Sequence, residues 1–390
     1  CALIVGVLVN VCVLIYYKYT DFVIITINDI GNKNIELKNL LLPLGISFFT
    51  FKSISYLVDV YKGKVDTEKV SPVHDALYLS FFAQVQSGPL TRYGDSFRVD
   101  KEQREELFVD GVYRFLIGFN KKVLLSNVLS NITTEIFQTG FEGFSTAYAW
   151  LGAICYSMQL FYDFSGYSDM AIGISEMFGY RCMENFNYPY MTESVSKFWR
   201  RWHISLSQWF RDYVYIPLGG NRKGTLVRYR NMAIVWLLTG FWHGANWNFL
   251  LWGVYFAVIL ILERAVLLRV LERLPRPLRH AYAVVLILVG FLIFSETDLS
   301  AALSCLGAML GLGVQAFAGE TTLYQLTRLL PLVALACVGA TPLPRRLWRR
   351  LLERFPRAQT ALPVLCIGLL TVCVAYLVDS TFSPFEYTQF

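Results

Sequence analysis

The sequence predicts an all-α polytopic membrane protein, a helical bundle with re-entrant and interfacial pieces, and three observations carry that expectation. Hydrophobic residues fill 55% of the 390 positions and charged residues only 16%, whereas a soluble domain is nearer a quarter charged. Several uncharged stretches approach the length of a membrane-crossing helix, and in lipid such a helix satisfies all its own backbone groups. The basic residues gather beside apolar stretches instead of spreading along the chain. Together these exclude a disordered, coiled-coil or nucleic-acid-binding chain. The net charge of +6, from 35 Lys and Arg against 29 Asp and Glu, suits an anionic membrane surface. The chain 1–390 reads as a single transmembrane domain.

Taken in order, apolar spans fall at about 2–17, 40–61, 145–162, 231–262, 281–295, 328–341 and 361–379. The chain opens at Cys1 inside the first of them, with neither Met nor a basic flank, as a chain lacking its natural start would. The stretch 231–262 is long enough for two short or broken helices. Residues 76–91 and 164–180 are too short or too polar to cross unaided, and both carry Gly beside polar residues, so re-entrant or interfacial pieces are expected there. Arg264, Arg269, Arg273, Arg276 and Arg279 precede the span at 281–295, and Arg345, Arg346, Arg349, Arg350, Arg354 and Arg357 follow the span at 328–341. Both basic loops are expected in the cytoplasm. The segment 296–327, with Glu296, Asp298 and Glu320 and no basic residue, is expected outside. Seven of the eight cysteines lie in apolar stretches and only Cys182 in a polar loop, so neither a disulfide framework nor a zinc site is expected.

Membrane depth makes polar residues expensive, which singles out a few. His74 beside Pro72 and His280 at the end of an Arg-rich loop read as solvated. His243 lies within Trp242-His243-Gly244-Ala245-Asn246-Trp247, near the middle of an apolar stretch. There an imidazole either marks a functional cavity or is bonded to a carbonyl to fix helix packing. Gly240 and Gly244, at small-residue spacing, favour the second reading in part. His203 shares one face of an expected interfacial amphipathic helix over 197–212 with Trp199, Leu206 and Phe210, and it is either functional or merely packed. Asp163, Asp169 and Glu176 must pair with basic residues or line a wet cavity, and ion pairing with the nearby basic helix is the first expectation. The segment from Gln84 to Tyr93 looks like a buried turn with a cationic end at Arg92. No Walker A loop, dinucleotide fingerprint, nucleophile elbow or zincin motif is present.

Several strings then carry a resemblance: FWRRWHISLS at 198–207, WFRDYVYIPLGGNR at 209–222, WHGANW at 242–247, LPLGISFFTF at 42–51, SGP at 87–89 and DFSGYSDM at 163–170. In this order the chain resembles the membrane-bound O-acyltransferase superfamily. It is most similar to the bacterial branch that acetylates alginate, and less so to the group that moves D-alanine onto teichoic acid. The resemblance implies a multi-helix enzyme of the bacterial cytoplasmic membrane, with a buried histidine at the centre of a tunnel joining both faces. By motif match that histidine is His243, with His203 as the second. A neutral imidazole within reach of a hydroxyl serves as general base. Asn246, expected one helical turn from His243, orients the ring or the carbonyl, or is packing. Trp242, Asn246, Arg92, Asp163, Asp169 and Arg201 stand as the other substrate-binding or tunnel-lining candidates, with no metal.

The implied reaction takes an acyl group, acetyl first, from a cytoplasmic thioester such as acetyl-CoA or an acyl carrier protein. It delivers the group towards an extracytoplasmic polysaccharide or a partner acetyltransferase, with no tightly bound cofactor. The alternatives are D-alanyl transfer to teichoic acid and, in another class, a transporter or flippase without acyl chemistry.

Overall fold

The first helix, α1 (Ala2–Gly31), runs well past the span expected at 2–17. Lys18, Thr20 and Asp21 end the apolar stretch but not the helix, in which the Thr20 and Thr26 hydroxyls donate back to the carbonyls of Tyr16 and Phe22. The structure is a computed structural model and describes residues 1–66, 71–96, 104–138, 145–295, 299–314 and 316–379. Helix α2 (Ile46–Tyr61) packs along α1. The short α3 (Pro72–Ser80) is followed by a turn that buries Gln84, Ser87 and Leu90, in keeping with the non-spanning piece expected at 76–91.

Next come α4 (Arg104–Asn120), a π-helical turn (Lys121–Ser126) and α5 (Asn127–Gln138), a run the hydropathy did not disclose. Its charges are the reason: Arg114, Lys121 and Lys122 depress the apolar signal, yet all three are spent inside the bundle. Helix α6 (Thr146–Met177) unites the expected span at 145–162 with the expected re-entrant piece at 164–180. Lys122 meets Asp163 at 2.6 Å, and Asp169 is held by Arg114 at 2.7 Å and Lys121 at 2.6 Å. The ion pairing read from the sequence is therefore present, but its cations come from the α4 run and not from the basic helix near 200. Small residues let the two helices meet. A Cβ at Gly118 would stand 2.7 Å from the Met170 amide nitrogen, and one at Gly173 would stand 2.6 Å from that of Phe115.

The expected helix over 197–212 is broken. It forms α7 (Val195–Trp199) and α8 (Ile204–Phe210), with a π-helical turn (Arg211–Tyr215) after them. The break is at His203, whose φ of 44° is left-handed. The stretch at 231–262 is two helices, as its length allowed: α9 (Thr225–His243) and α10 (Trp247–Leu262). They approach at Gly240, where a Cβ would lie 3.1 Å from the Gly253 Cα. Gly244 belongs to the chain break and not to the crossing.

A π-helical turn (Glu263–Leu267), α11 (Leu268–Leu271), α12 (Arg276–Phe294), α13 (Leu299–Met309), α14 (Glu320–Gly339), α15 (Leu343–Arg354) and α16 (Leu362–Asp379) complete the chain. Arg276 and Arg279 thus begin α12 and lengthen a span that was too short without them. The arginines from 345 to 354 form a strongly amphipathic helix, not a loop, and α13 occupies part of the expected outer segment. Glu296, Asp298 and residues 380–390 lie outside the described residues.

Among the described residues, four stretches are long and apolar enough to cross a membrane: α1, α12, 322–339 and 356–379. Helix α6 is the axis, touched by α4, α5, α12, α13 and α14. Of the two histidines read as solvated, His280 is exposed, its Nδ1 2.9 Å from the Thr192 carbonyl oxygen, and His74 is half-buried, its Nδ1 2.8 Å from the Tyr93 hydroxyl.

Candidate active site

Helix α9 ends at His243, and its last carbonyls have no partners of their own helix. Helix α1 supplies them. Lys18 Nζ donates to the Trp242 oxygen at 2.7 Å and the His243 oxygen at 3.1 Å, and the Tyr19 hydroxyl donates to the Phe241 carbonyl. The His243 ring is buried against Trp252 at 5.0 Å and Phe294 at 5.1 Å between centroids, both near perpendicular.

His203 is set by a different device. The Glu263 carboxylate, fully buried, accepts the Val195 and Ser196 amides at 2.7 and 2.8 Å and the Ser196 hydroxyl at 2.6 Å, which anchors the start of α7 to the end of α10. After α7 the chain turns at His203, a left-handed conformation that costs a non-glycine residue about 1–3 kcal/mol. Asn185 holds it there. Its Oδ1 accepts the Ser205 amide at 3.2 Å and the Ser205 hydroxyl at 2.9 Å, and its backbone oxygen accepts the Ile204 amide at 3.0 Å. The same Oδ1 lies 3.2 Å from His203 Nδ1. An atom that accepts a backbone N–H is an oxygen, so Nδ1 carries the proton and Nε2 the lone pair.

Both histidines line one cavity of about 580 Å³. Its floor is apolar, with Trp202, Leu206, Trp252, Phe291 and Phe294, and its other walls bear Arg200, Ser207, Gln208 and Arg211. Along α9 it runs over Val235, Trp236, Thr239 and His243. A second cavity of about 190 Å³ begins where α9 stops, bounded by Lys18, residues 42–48, Gln86, Trp242 and His243. His243 thus lines both. Among the described residues no three metal-ligating side chains converge.

The other candidates are placed as follows. Trp242 lines the smaller cavity and stacks on Phe51 at 5.2 Å. Asn246 is no helical turn from His243, because α9 has ended; its Oδ1 caps α10 by accepting the Asn248 amide at 3.3 Å. Arg92 pairs with Asp212 at 2.6 Å and donates to the Tyr213 hydroxyl at 3.0 Å, tying the 81–92 turn to the segment after α8. Partial burial would raise the Asp212 carboxyl, but the hydrogen bond from Arg211 and the Arg92 charge hold it below the usual carboxylate range. Arg201 donates to the Met191 carbonyl. Asp163 and Asp169 sit in the α4–α6 ion pairs. None of Arg92, Arg201, Asp163, Asp169 or Asn246 lines either cavity. Asn185, Lys18 and Glu263, which hold the segments bearing the two histidines, and Arg200 and Arg211, which line the larger cavity, were not among the sequence candidates. The Asn-Phe-Asn-Tyr-Pro-Tyr string at 185–190, polar residues in a loop beside the histidine motif, was the available signal for the first of them.

A helical bundle in which one imidazole, His243, lines two chambers and a second, His203, lines the larger of them defines a polytopic membrane protein with a buried polar site. The chain matches the model of MBOAT, the membrane-bound O-acyltransferase family, over residues 64–297, and it belongs to that family of O-acyltransferases. It is 42% identical over 346 residues to a probable alginate O-acetylase of Azotobacter vinelandii, covering 86% of this chain and 68% of that one. It is 43% identical over 324 residues to a probable alginate O-acetylase of Pseudomonas aeruginosa, covering 80% and 60%. Against a peptidoglycan O-acetyltransferase of Helicobacter pylori it is 36% identical over 344 residues, covering 80% and 64%. The matches thus span about two thirds of the length of these relatives.

Proposed function

We propose that the chain transfers an acetyl group from a cytoplasmic thioester donor, within the membrane, to a hydroxyl presented from the extracytoplasmic side on a polysaccharide or a partner acetyltransferase. The observation that carries this reading is the place of His243, which lines both the larger and the smaller chamber. Donor and acceptor can then approach the same imidazole from two sides, one along the C-terminal half of α9 and the other from beyond its end. The larger chamber suits the donor, since its apolar floor accepts an acyl thioester and Arg200 and Arg211 suit the phosphates of a CoA-type carrier. The arginine bias of the spans supports a cytoplasmic position for this end, in a bacterial inner membrane. Acetyl is the first choice because the relatives above carry O-acetylation in their names.

In the proposed step His243 accepts the proton of the acceptor hydroxyl as its oxygen attacks the thioester carbonyl carbon. The C–O bond forms, the C–S bond breaks, and the departing thiolate takes up a proton. His203, held in one tautomer by Asn185, lines the donor chamber and positions the thioester.

The test is His243→Ala in purified full chain, supplied with acetyl-CoA and a soluble glycan. Transfer should fall by about 10²–10⁴-fold, the usual loss for a general base, with insertion and unfolding temperature unchanged. Retention of more than about a tenth of the turnover removes His243 from the chemistry. Parallel assays with a D-alanyl thioester decide the acyl group.

A further inference from the structure

Helix α15 takes no part in the site above. Its 12 residues lie between two stretches apolar enough to cross a membrane, 322–339 before it and 356–379 after it, so both its ends are held at one membrane surface. Prolines mark its limits. Pro344 stands in the first turn, the Thr341 hydroxyl accepts the Leu343 amide at 3.2 Å, and Pro356 follows the end.

Four-residue spacing puts Leu343, Leu347 and Leu351 on one side, with Trp348 and Leu352 beside them, and Arg345, Arg346, Arg349 and Arg350 on the other. No residue of the helix is buried, and the three leucines are 46%, 53% and 42% exposed. The main contacts of α15 are with α14 and the short turn Pro356–Ala361, its neighbours in the chain, so the bundle leaves the leucines uncovered. Among the described residues none of the four arginines is in an ion pair. Arg345 and Arg346 stand in the first turn, where positive charge opposes the helix dipole.

One acid decides between a bilayer and a soluble acidic partner. Glu353 falls between Arg346 and Arg349 on the helical wheel, opposite the middle of the apolar side. A partner gripping the basic side would press its own acids against that carboxylate. With the leucines sunk in a bilayer, Glu353 points to water instead. Arg345 and Arg350, at the two margins, then lay their stems along the acyl boundary and their guanidinium groups at the headgroups.

We infer that α15 lies in the plane of the membrane surface, its leucines among the acyl chains and its arginines on the phosphates of anionic phospholipid. By the arginine bias that surface is the cytoplasmic leaflet. The stretch 356–379, little of which the bundle buries, is thereby held at its start. The inference does not depend on the acyl-transfer reading.

The full chain, in a cysteine-free background, is reconstituted in nanodiscs of phosphatidylcholine mixed with phosphatidylglycerol, with a nitroxide at Leu347→Cys, Leu351→Cys or Glu353→Cys in turn. The first two labels should be relaxed by oxygen, which dissolves in lipid, and the third by a water-soluble nickel chelate. Spin-labelled lipids then report which headgroup sits against the protein, and phosphatidylglycerol should be held severalfold more strongly than phosphatidylcholine. Combining Arg345→Gln, Arg346→Gln, Arg349→Gln and Arg350→Gln should remove about half of that preference or more, because each arginine near an anionic surface adds its own attraction. High salt should weaken the preference of the unaltered chain. The unfolding temperature of the fourfold variant in detergent should not move, since these arginines pair with nothing in the bundle. Nickel access at 347 and 351 equal to that at 353 overturns the in-plane placement, and this arm needs no change to the arginines. A phosphatidylglycerol preference absent from the unaltered chain, or undiminished in the fourfold variant, overturns the headgroup assignment.

Discussion

Replacing Asn185 by Leu deletes one oxygen that serves three donors: the His203 ring at 3.2 Å, the Ser205 amide at 3.2 Å and the Ser205 hydroxyl at 2.9 Å. Asn185 is 1% exposed, so water cannot replace it without opening the core. A buried donor left without its acceptor costs about 1–3 kcal/mol. The Ser205 hydroxyl can rotate to another partner, while the backbone bond from Ile204 to the Asn185 carbonyl survives. Two uncompensated donors then give a loss of about 2–6 kcal/mol in stability. The effect on transfer is separate, because the left-handed turn and the tautomer of His203 both depend on this oxygen. A ring free to shift by about 1 Å loses on the order of 10²-fold in turnover. The assay is thermal unfolding of the detergent-solubilised chain together with kcat and KM for acyl transfer. Asn185→Asp keeps the accepting oxygen in the same shape and should recover most of the turnover. In a His203→Ala background, Asn185→Leu should cost little further turnover, since the two residues act as one unit. Wild-type turnover in Asn185→Leu would refute the positioning role, and so would an Asn185→Asp variant as slow as Asn185→Leu.

Three other outcomes are expected. Gly118→Val should force α4 from α6, because its Cβ would meet the Met170 amide nitrogen at 2.7 Å and the Asp169 Cβ at 2.9 Å; overpacking of this kind costs about 1–3 kcal/mol, whereas Gly368→Ala, with nothing within 4 Å, should be neutral or slightly stabilising by unfolding temperature. Asp212, depressed by Arg211 and Arg92, stabilises the fold above the unfolded aspartate value of about 3.9, and that contribution is lost as pH falls through the lower folded value; the stability gap between Asp212→Asn and the unaltered chain should therefore be present at neutral pH and close in strong acid. Single cysteines at Ser300, Arg276 and Arg350 in a cysteine-free background should react with an impermeant thiol reagent on intact cells at 300 alone, and the reverse pattern would invert the orientation and move the donor chamber to the other face.

The sequence by itself determined the class of the protein. Hydropathy and composition are local, and a chain this apolar, with few charges and several long uncharged stretches, is matched to lipid, so the α-helical membrane bundle is expected before any contact is known. Expense also made the key residues visible: His243 stands out because an imidazole at that depth needs a reason, and the acids of α6 because they had to be paired. Only the tertiary structure decided which partners answer those needs. The cations that neutralise Asp163 and Asp169 lie on α4 and the turn after it, where their own charge kept the segment out of the apolar pattern. Helix α6 could be one buried rod only once those cations were in place. The break at His203 depends on Asn185, 18 positions earlier, and the end of α9 on Lys18, 225 positions from His243. Hydrogen bonds between side chains and backbone groups so far apart leave no period in the sequence. They exist only because burial removes water as a competitor and makes each unpaired group costly enough to select its partner.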